Sequence, residues 1–287
     1  MSIGLLWTDE TENEDFSFFK NYKTAFKNFF KKPINLVNSI DEISQFNNLI
    51  IVDEHYGPHN KIICDSRFIE TINRYKINVV IFNTEKIFFS YWAHNLETQR
   101  NIEKLNNCIQ ILSDVKDIKR IGTPFKNKQY LSKDVSYRKE MNKKNDKILF
   151  FGQLDGKAYK NRRKILDKIS KSINTTLDIF KSTRSMSYED YMKLLSKYKF
   201  VLNPLGAGEF INVRFFEALK VGAIPIQQIT PLMSRYYDFE IGENISINFQ
   251  RPNQLKSVNF KNFKYKPLNF HLEDYFYQSK LNSYFKK

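Results

Sequence analysis

The chain has 287 residues, 41% of them hydrophobic, and its 46 lysines and arginines outnumber 31 acids for a net charge of +15. Such a length buries a substantial core, more naturally in two domains than in one, and the hydrophobic content excludes a disordered chain. No apolar run reaches the ~18–20 residues that cross a bilayer, so a soluble globular protein is expected, and its charge suits an anionic partner such as a nucleotide, a nucleic acid or an acidic membrane surface.

The start, Met1-Ser2-Ile3-Gly4-Leu5-Leu6-Trp7, turns acidic at Asp9 and Glu10. It lacks the basic opening and long apolar run of a signal peptide, which makes a cytoplasmic protein the expectation. The two cysteines, Cys64 and Cys108, have no metal-ligand spacing and cannot form a disulfide framework.

In the first half, apolar runs at 3–7, 34–37, 49–52, 79–82 and 108–112 read as strands. Residues 16–30, 41–46, 68–75 and 96–105 read as helices between them. The alternation predicts βαβ units and a mostly parallel, Rossmann-like sheet. In such sheets ligands lie just beyond the carboxyl ends of the strands. Three places follow: Thr8-Asp9-Glu10, the stretch 53–59 with Asp53, Glu54, His55 and His59, and Asn83-Thr84-Glu85. A carboxylate at any of them can serve as a general base, and each is equally suited to a loop acid or a helix cap. His55 and His59 are four apart, but Gly57-Pro58 between them breaks the helix that would align them, which argues against a metal.

Residues 113–146 read as a crossover, with Gly122-Thr123-Pro124 followed by a lysine-rich run. This divides the chain into an N-terminal domain over 1–125, a linker over 126–147 and a C-terminal domain over 148–265. A last segment, 266–287, reads as a helix that can pack back on the N-terminal domain. Its approach, 260–265, is rich in lysine and aromatics; it can touch nucleic acid or a membrane surface peripherally, and docking on the protein's own body explains it more simply.

The second half restarts with a strand at 148–151 that runs into Gly152-Gln153-Leu154-Asp155-Gly156-Lys157. A helix follows with Asn161, Arg162 and Arg163 in its first turn. Cations there oppose the helix dipole at a cost of a few tenths to ~1 kcal/mol, which an anion bound nearby would offset. A strand near 176–180 precedes Ser187-Tyr188-Glu189-Asp190, a capping-box helix start. Tyr188, Tyr191, Leu195 and Tyr198 follow helical spacing and read as core contacts. Then come a strand at 200–202, a loop through Gly206 and Gly208, a helix over 212–221 and a strand from 223. On this helix Phe215, Phe216 and Leu219 share one face, while Arg214 and Glu217 lie together elsewhere. The pair is either a surface ion pair or a phosphate ligand and a sugar-hydroxyl acceptor beside a helix start. A further strand is expected at 245–249 and a helix within 272–285.

Over about 147–230 the chain resembles GT-B type glycosyltransferases, in particular exostosin-like and fucosyltransferase-like nucleotide-sugar transferases. The resemblance rests on Phe150-Phe151-Gly152, Arg162-Arg163, Lys199-Phe200-Val201-Leu202-Asn203-Pro204, Arg214-x-x-Glu217-Ala218-Leu219 and Gly222-Ala223-Ile224-Pro225-Ile226. It implies two Rossmann-like domains facing across a cleft, with the acceptor on the first and a UDP-, GDP- or ADP-linked sugar donor on the second. It also implies Arg214 and the basic residues near Arg162 on the diphosphate, Glu217 on the ribose, and neither a metal nor another cofactor. The donor set is then Gly152, Lys157, Arg162, Arg163, Asn203, Pro204, Gly208, Glu209, Asn212, Arg214 and Glu217.

The segment Val79-Val80-Ile81-Phe82-Asn83-Thr84-Glu85, followed by Phe88, Phe89, Tyr91 and Trp92, is similar to a strand end of phage DNA glucosyltransferases of the same fold. That similarity implies Glu85 as the catalytic base, with Asp53 and Glu54 behind it. The leading expectation is hexosyl or deoxyhexosyl transfer to a glycan of the surface polysaccharide or lipopolysaccharide type. The alternatives are transfer to a base of phage DNA and a non-catalytic nucleotide or nucleic-acid binding module.

Overall fold

A computed structural model describes residues 2–6, 26–53, 59–83, 99–112, 116, 144–156, 159, 161–181, 186–206, 208–209, 211–236, 246–263 and 285. The chain divides into two compact units, one mainly from Phe19–Asn127 and the other mainly from Lys128–Leu272. Both are α/β.

The first unit is built on β1 (Ile3–Leu6), β2 (Ile34–Val37), β3 (Asn48–Asp53), β4 (Asn78–Asn83) and β5 (Cys108–Leu112). They form one parallel sheet in the order β2-β1-β3-β4-β5. Helices α1 (Ile40–Ile43), α2 (His59–Cys64) and α3 (Ser66–Arg74) accompany it. Asp65 caps α3, accepting a hydrogen bond from the Arg67 backbone N–H at 2.9 Å. Leu6, Leu49, Ile51, Val79 and Ile81 pack with Phe68 and Ile72 of α3 in one core. The Phe285 ring lies 5.5 Å from that of Phe30. The rest of the helix expected over 272–285, and the helix start expected at 16–25, lie outside the described residues.

The second unit contains β6 (Asn145–Gly152), β7 (Leu177–Lys181), β8 (Tyr198–Asn203), β9 (Ile224–Gln228) and β10 (Ile247–Phe249). They too form a parallel sheet, ordered β10-β9-β8-β6-β7. Helices α4 (Arg162–Ser170), α5 (Tyr188–Ser196), α6 (Val213–Lys220) and α7 (Met233–Tyr236) complete it. Counted within its own unit, each sheet has the order second-first-third-fourth-fifth. This doubly wound arrangement reverses direction between first and third strands, and its ligand crevice lies at their carboxyl ends.

The apolar runs of the second unit have a simple origin. Ile148, Phe150, Phe200, Leu202, Ile224 and Ile226 belong to a core on one face of the sheet. Leu149, Val201 and Ala223, one residue out of phase, belong to a core on the other with Met192 and Leu195 of α5 and Ala218 of α6. Strands buried on both faces are apolar at every position, so they show as continuous runs.

Helix α6 corrects one of the two expectations for the Arg214/Glu217 pair. Phe215, Phe216 and Leu219 are buried as the spacing requires, but Glu217 and Lys220 are also only 8% and 6% exposed. Packing of α5 and the strands around Ala218 and Val221 covers the helix, so Glu217 is not half of a surface ion pair. The helix ends at Gly222, whose φ of 70° suits a residue without a Cβ. There the Gly222 N–H bonds Leu219 O at 2.9 Å and the Ala223 N–H bonds Ala218 O at 2.8 Å, a Schellman closure that turns the chain directly into β9.

Candidate functional site

The direction-reversal point of the second sheet lies between β6 and β8, which end at Gly152 and Asn203. Two arginines converge there. Arg162, the first residue of α4, sits with its guanidinium carbon 4.3 Å from the Tyr159 ring centre and 5.7 Å from that of Phe150. Arg214, in the first turn of α6, lies 5.8 Å from the same Phe150 ring. One aromatic ring near the end of β6, Phe150, therefore lies against both cations.

Each arginine is seated by the backbone. Arg162 Nη1 donates to Gln153 O at 2.7 Å. The Arg214 N–H donates to Asn212 Oδ1 at 3.1 Å, which caps α6. Arg214 Nη1 also reaches Asn203 Oδ1 at 3.5 Å, the outer limit of a hydrogen bond. Two glycines make the room. A Cβ on Gly152 would lie 3.0 Å from Arg214 Nη2, and one on Gly206 would lie 3.0 Å from Arg162 Nη2.

The electrostatics are unbalanced. Arg162 is 5% exposed. Its pKa falls to about 10, first because burial penalises the cation and then because the Arg214 charge repels it; Tyr159 opposes the shift. No carboxylate among the described residues enters that balance. Among the described residues, Nε of Arg162 and Nε of Arg214 are both buried without a hydrogen-bond partner. Buried charges are ordinarily paired, and an unpaired one costs several kcal/mol, on the order of 3–5 when its partner is removed. The arrangement therefore lacks an anion among the described residues.

Glu217 sits one turn into α6 from Arg214. Tyr191 of α5 donates its hydroxyl to Glu217 Oε2 at 2.7 Å, and Tyr188 lies beside the same carboxylate and favours its charged form. Burial raises the Glu217 pKa, opposed by the Tyr191 bond, the Arg214 and Lys220 charges and Tyr188. Burial also lowers the pKa of Lys220. Reading Tyr188 and Tyr191 as core contacts was incomplete: the Tyr191 ring does pack on Phe151 at 4.8 Å, but its hydroxyl serves Glu217.

The other residues of the expected donor set are distributed around this centre. Asn203 is fully buried and donates to the Gln227 side chain. Gln228 accepts from the Leu205 N–H at 3.1 Å. Pro204 and Gly208 are buried. Glu209 accepts from Thr230 Oγ1 at 2.8 Å, tying the loop after β8 to the one after β9. Arg163, next to Arg162, instead faces solvent and pairs with Asp155 at 2.7 Å. Lys181 joins the same carboxylate at 2.8 Å, and the two hydrogen-bonded cations hold the Asp155 pKa down to about 2.

Lys157, Glu54, His55 and Glu85 lie outside the described residues. Asp53 ends β3 beside Asn83 at the end of β4, and His59 begins α2, but the side chains of all three lie outside them as well. Among the described residues no group of three or more His, Cys, Asp or Glu is arranged to hold a metal ion, and no helix is long and apolar enough to cross a membrane.

Gln153, Tyr159, Tyr191 and Gly206 are participants that sequence reasoning did not place in the site. Tyr159 and Gly206 carried no spacing signal. Tyr191 carried one that a core role satisfied equally well.

Neither a protein-family model nor the sequence of a curated protein matches the chain. Solved structures do match it. An α-glucosyltransferase in complex with UDP-glucose and DNA containing an abasic site has a TM-score of 0.55 at 12% identity, over 99% of this chain and 99% of that one. HepE of Anabaena, in complex with UDP and glucose, has a TM-score of 0.54 at 9% identity, over 89% of this chain and 88% of its own. An α1,3-fucosyltransferase has a TM-score of 0.50 at 12% identity, over 99% and 89%. At these identities the likeness is one of fold, and the fold of this chain is the GT-B type on which nucleotide-sugar transferases are built.

Proposed function

We propose that the protein is a glycosyltransferase that takes a sugar from a UDP-, GDP- or ADP-linked donor and passes it to a glycan acceptor. The observation that carries the reading is the pair of guanidinium groups at Gly152 and Gly206, Arg162 buried and Arg214 half-buried, each with a buried Nε unpartnered among the described residues and with no described carboxylate offsetting Arg162. A diphosphate supplies the missing charge and acceptor oxygens, and guanidinium is suited to it by its fixed fork of donors.

In the reaction the bond from the anomeric carbon to the diphosphate oxygen breaks, and negative charge grows on the leaving diphosphate. Arg162 and Arg214 stabilise that charge from a fixed, partly desolvated position. The capped start of α6 adds its N–H groups and dipole. The two guanidinium charges can do this without a metal ion, and metal independence is part of the proposal. Asn203 positions Arg214, and Glu217 accepts the ribose hydroxyls. The acceptor hydroxyl loses its proton to a carboxylate of the first unit, for which Glu85 is proposed, with Asp53 and Glu54 as the nearest alternatives.

The test is release of nucleoside diphosphate from a panel of UDP-, GDP- and ADP-sugars, with and without a chelator. Release from none of them, together with no thermal shift on adding UDP, GDP or ADP, contradicts the proposal. Glu85→Gln is expected to abolish turnover with donor binding intact; retained turnover removes Glu85 from the role.

A second reading keeps the donor chemistry and makes a base in DNA the acceptor. Two observations favour it: the net charge of +15, and a full-length likeness of fold to an α-glucosyltransferase in complex with DNA. DNA binding under this reading is strong at low salt and weakens steeply as salt rises, since each neutralised phosphate releases counterions. Weak binding at low salt excludes it.

A further inference from the structure

Glu217 is a carboxylate in an apolar setting, flanked along its own helix by Arg214 and Lys220 and faced from α5 by Tyr188 and Tyr191. The two tyrosines are three residues apart and lie on one face of α5. Tyr188 is half-buried, and its ring centre is 6.0 Å from that of Tyr191. Tyr191 is fixed from its other side by the Phe151 ring, one residue before the end of β6. A carboxylate that merely linked α5 to α6 would need one such donor. This one has a 2.7 Å hydrogen bond from the Tyr191 hydroxyl, a second tyrosine beside it and two neighbouring cations.

An ionised carboxylate offers about four acceptor positions. Tyr191 occupies one and Tyr188 stands beside the group, which leaves at least two for hydroxyl donors. A vicinal diol presents two O–H groups at that spacing. Turning the carboxylate about its last bond would point those positions elsewhere, and the Tyr191 bond opposes that rotation.

We propose that Tyr191, assisted by Tyr188, is a positioning residue that holds the Glu217 carboxylate for the 2′,3′-diol of a ribonucleoside diphosphate, so that the site distinguishes ribonucleotides from deoxyribonucleotides. This rests on the proposed reading of Arg162 and Arg214 as diphosphate ligands and of Glu217 as the acceptor for the ribose hydroxyls. The burial of the Tyr191 hydroxyl beside a carboxylate keeps it protonated, and its pKa is raised well above the usual phenol value by burial and by the Glu217 charge.

The experiment is calorimetry with UDP, GDP and ADP and with their 2′-deoxy counterparts, on the wild type, Tyr191→Phe and Tyr188→Phe. The wild type prefers the ribonucleotide. In Tyr191→Phe the preference falls about tenfold, because ribonucleotide binding, which uses both hydroxyls, weakens more than 2′-deoxy binding, which uses only the 3′-hydroxyl. Tyr188→Phe moves the preference in the same direction by less. An unchanged preference in Tyr191→Phe, with a lower melting temperature, assigns the tyrosine to helix packing and overturns the proposal. Equal wild-type affinity for the two sugars overturns it too, but leaves the diphosphate reading standing. Failure of the wild type to bind any of the six overturns both. If Tyr191→Phe does not fold, Tyr188→Phe reads the same ratio, and no change there is also contradictory.

Discussion

The two sheets have the same strand order, yet they bury different kinds of polar group. Among the described residues of the first unit, the buried polar side chains are neutral amides: Asn48, Gln99, Asn101 and Gln110. In the second unit Arg162, Glu217 and Lys220 are buried as well. An amide carries no net charge: Gln110 Nε2 donates to Gln99 Oε1 at 3.0 Å, and its own Oε1, though buried without a partner among the described residues, calls for no counter-ion. A guanidinium needs an anion. Shared topology therefore places a crevice in both units, and buried charge marks the one in the second unit as a ligand site.

The contrast is broken most directly at Arg162. Arg162→Met is expected to weaken nucleoside diphosphate binding about 100-fold, on the order of two bonds to a charged group, while the melting temperature holds or rises because an uncompensated buried charge is gone. A variant that unfolds while keeping its affinity would make Arg162 a structural residue. Next in size is Gly152→Ala. Its Cβ, 3.0 Å from Arg214 Nη2, displaces a flexible side-chain end, not backbone, so the fold is retained and affinity falls about tenfold. Equal affinity would mean that the seat of Arg214 is not part of the site.

In the first unit, Gln110→Leu removes the donor to Gln99 and is expected to cost about 1 kcal/mol in denaturant unfolding with no change in nucleotide affinity. A change in affinity would show that the two units do not differ as described. The smallest effect concerns Asp155, whose pKa of about 2 lies below its ordinary 3.8. A carboxylate with a depressed folded pKa contributes stability above its unfolded pKa and loses it as pH falls through the folded one. Asp155→Asn should flatten the acid limb of the stability curve between 3.8 and about 2 and leave neutral-pH nucleotide binding unaltered. An unchanged limb would show that the Arg163 and Lys181 pairs are too well solvated to matter.

Much of the fold was readable because strands buried on both faces are apolar throughout. The run 108–112 matches β5 residue for residue, and 148–151 lies within β6. Helix starts were readable where a side chain caps them: Ser187 accepts from the Asp190 N–H at 3.1 Å, as the Ser-x-x-Asp pattern suggests. The site was readable only in part. Arg162 and Arg163 are identical residues in one helical turn, but successive positions point about 100° apart, and only the first faces the sheet. Nothing local in the sequence says which. Gly206 is noticeable as a loop glycine, but its reason, the guanidinium of Arg162 44 positions earlier in the chain, exists only once the strands are paired. The second sheet's arrangement likewise brings Asn203 to Gln227 across neighbouring strands. Such long-range pairings leave no periodic trace.

The central claim is that the carboxyl edge of the second sheet holds a nucleoside diphosphate between Arg162 and Arg214. Titration calorimetry of UDP, GDP and ADP into the wild type and Arg162→Met tests it in one comparison. Saturable binding of at least one nucleotide to the wild type and about 100-fold weaker binding to the folded variant are expected. Equal affinity in the two proteins would contradict it.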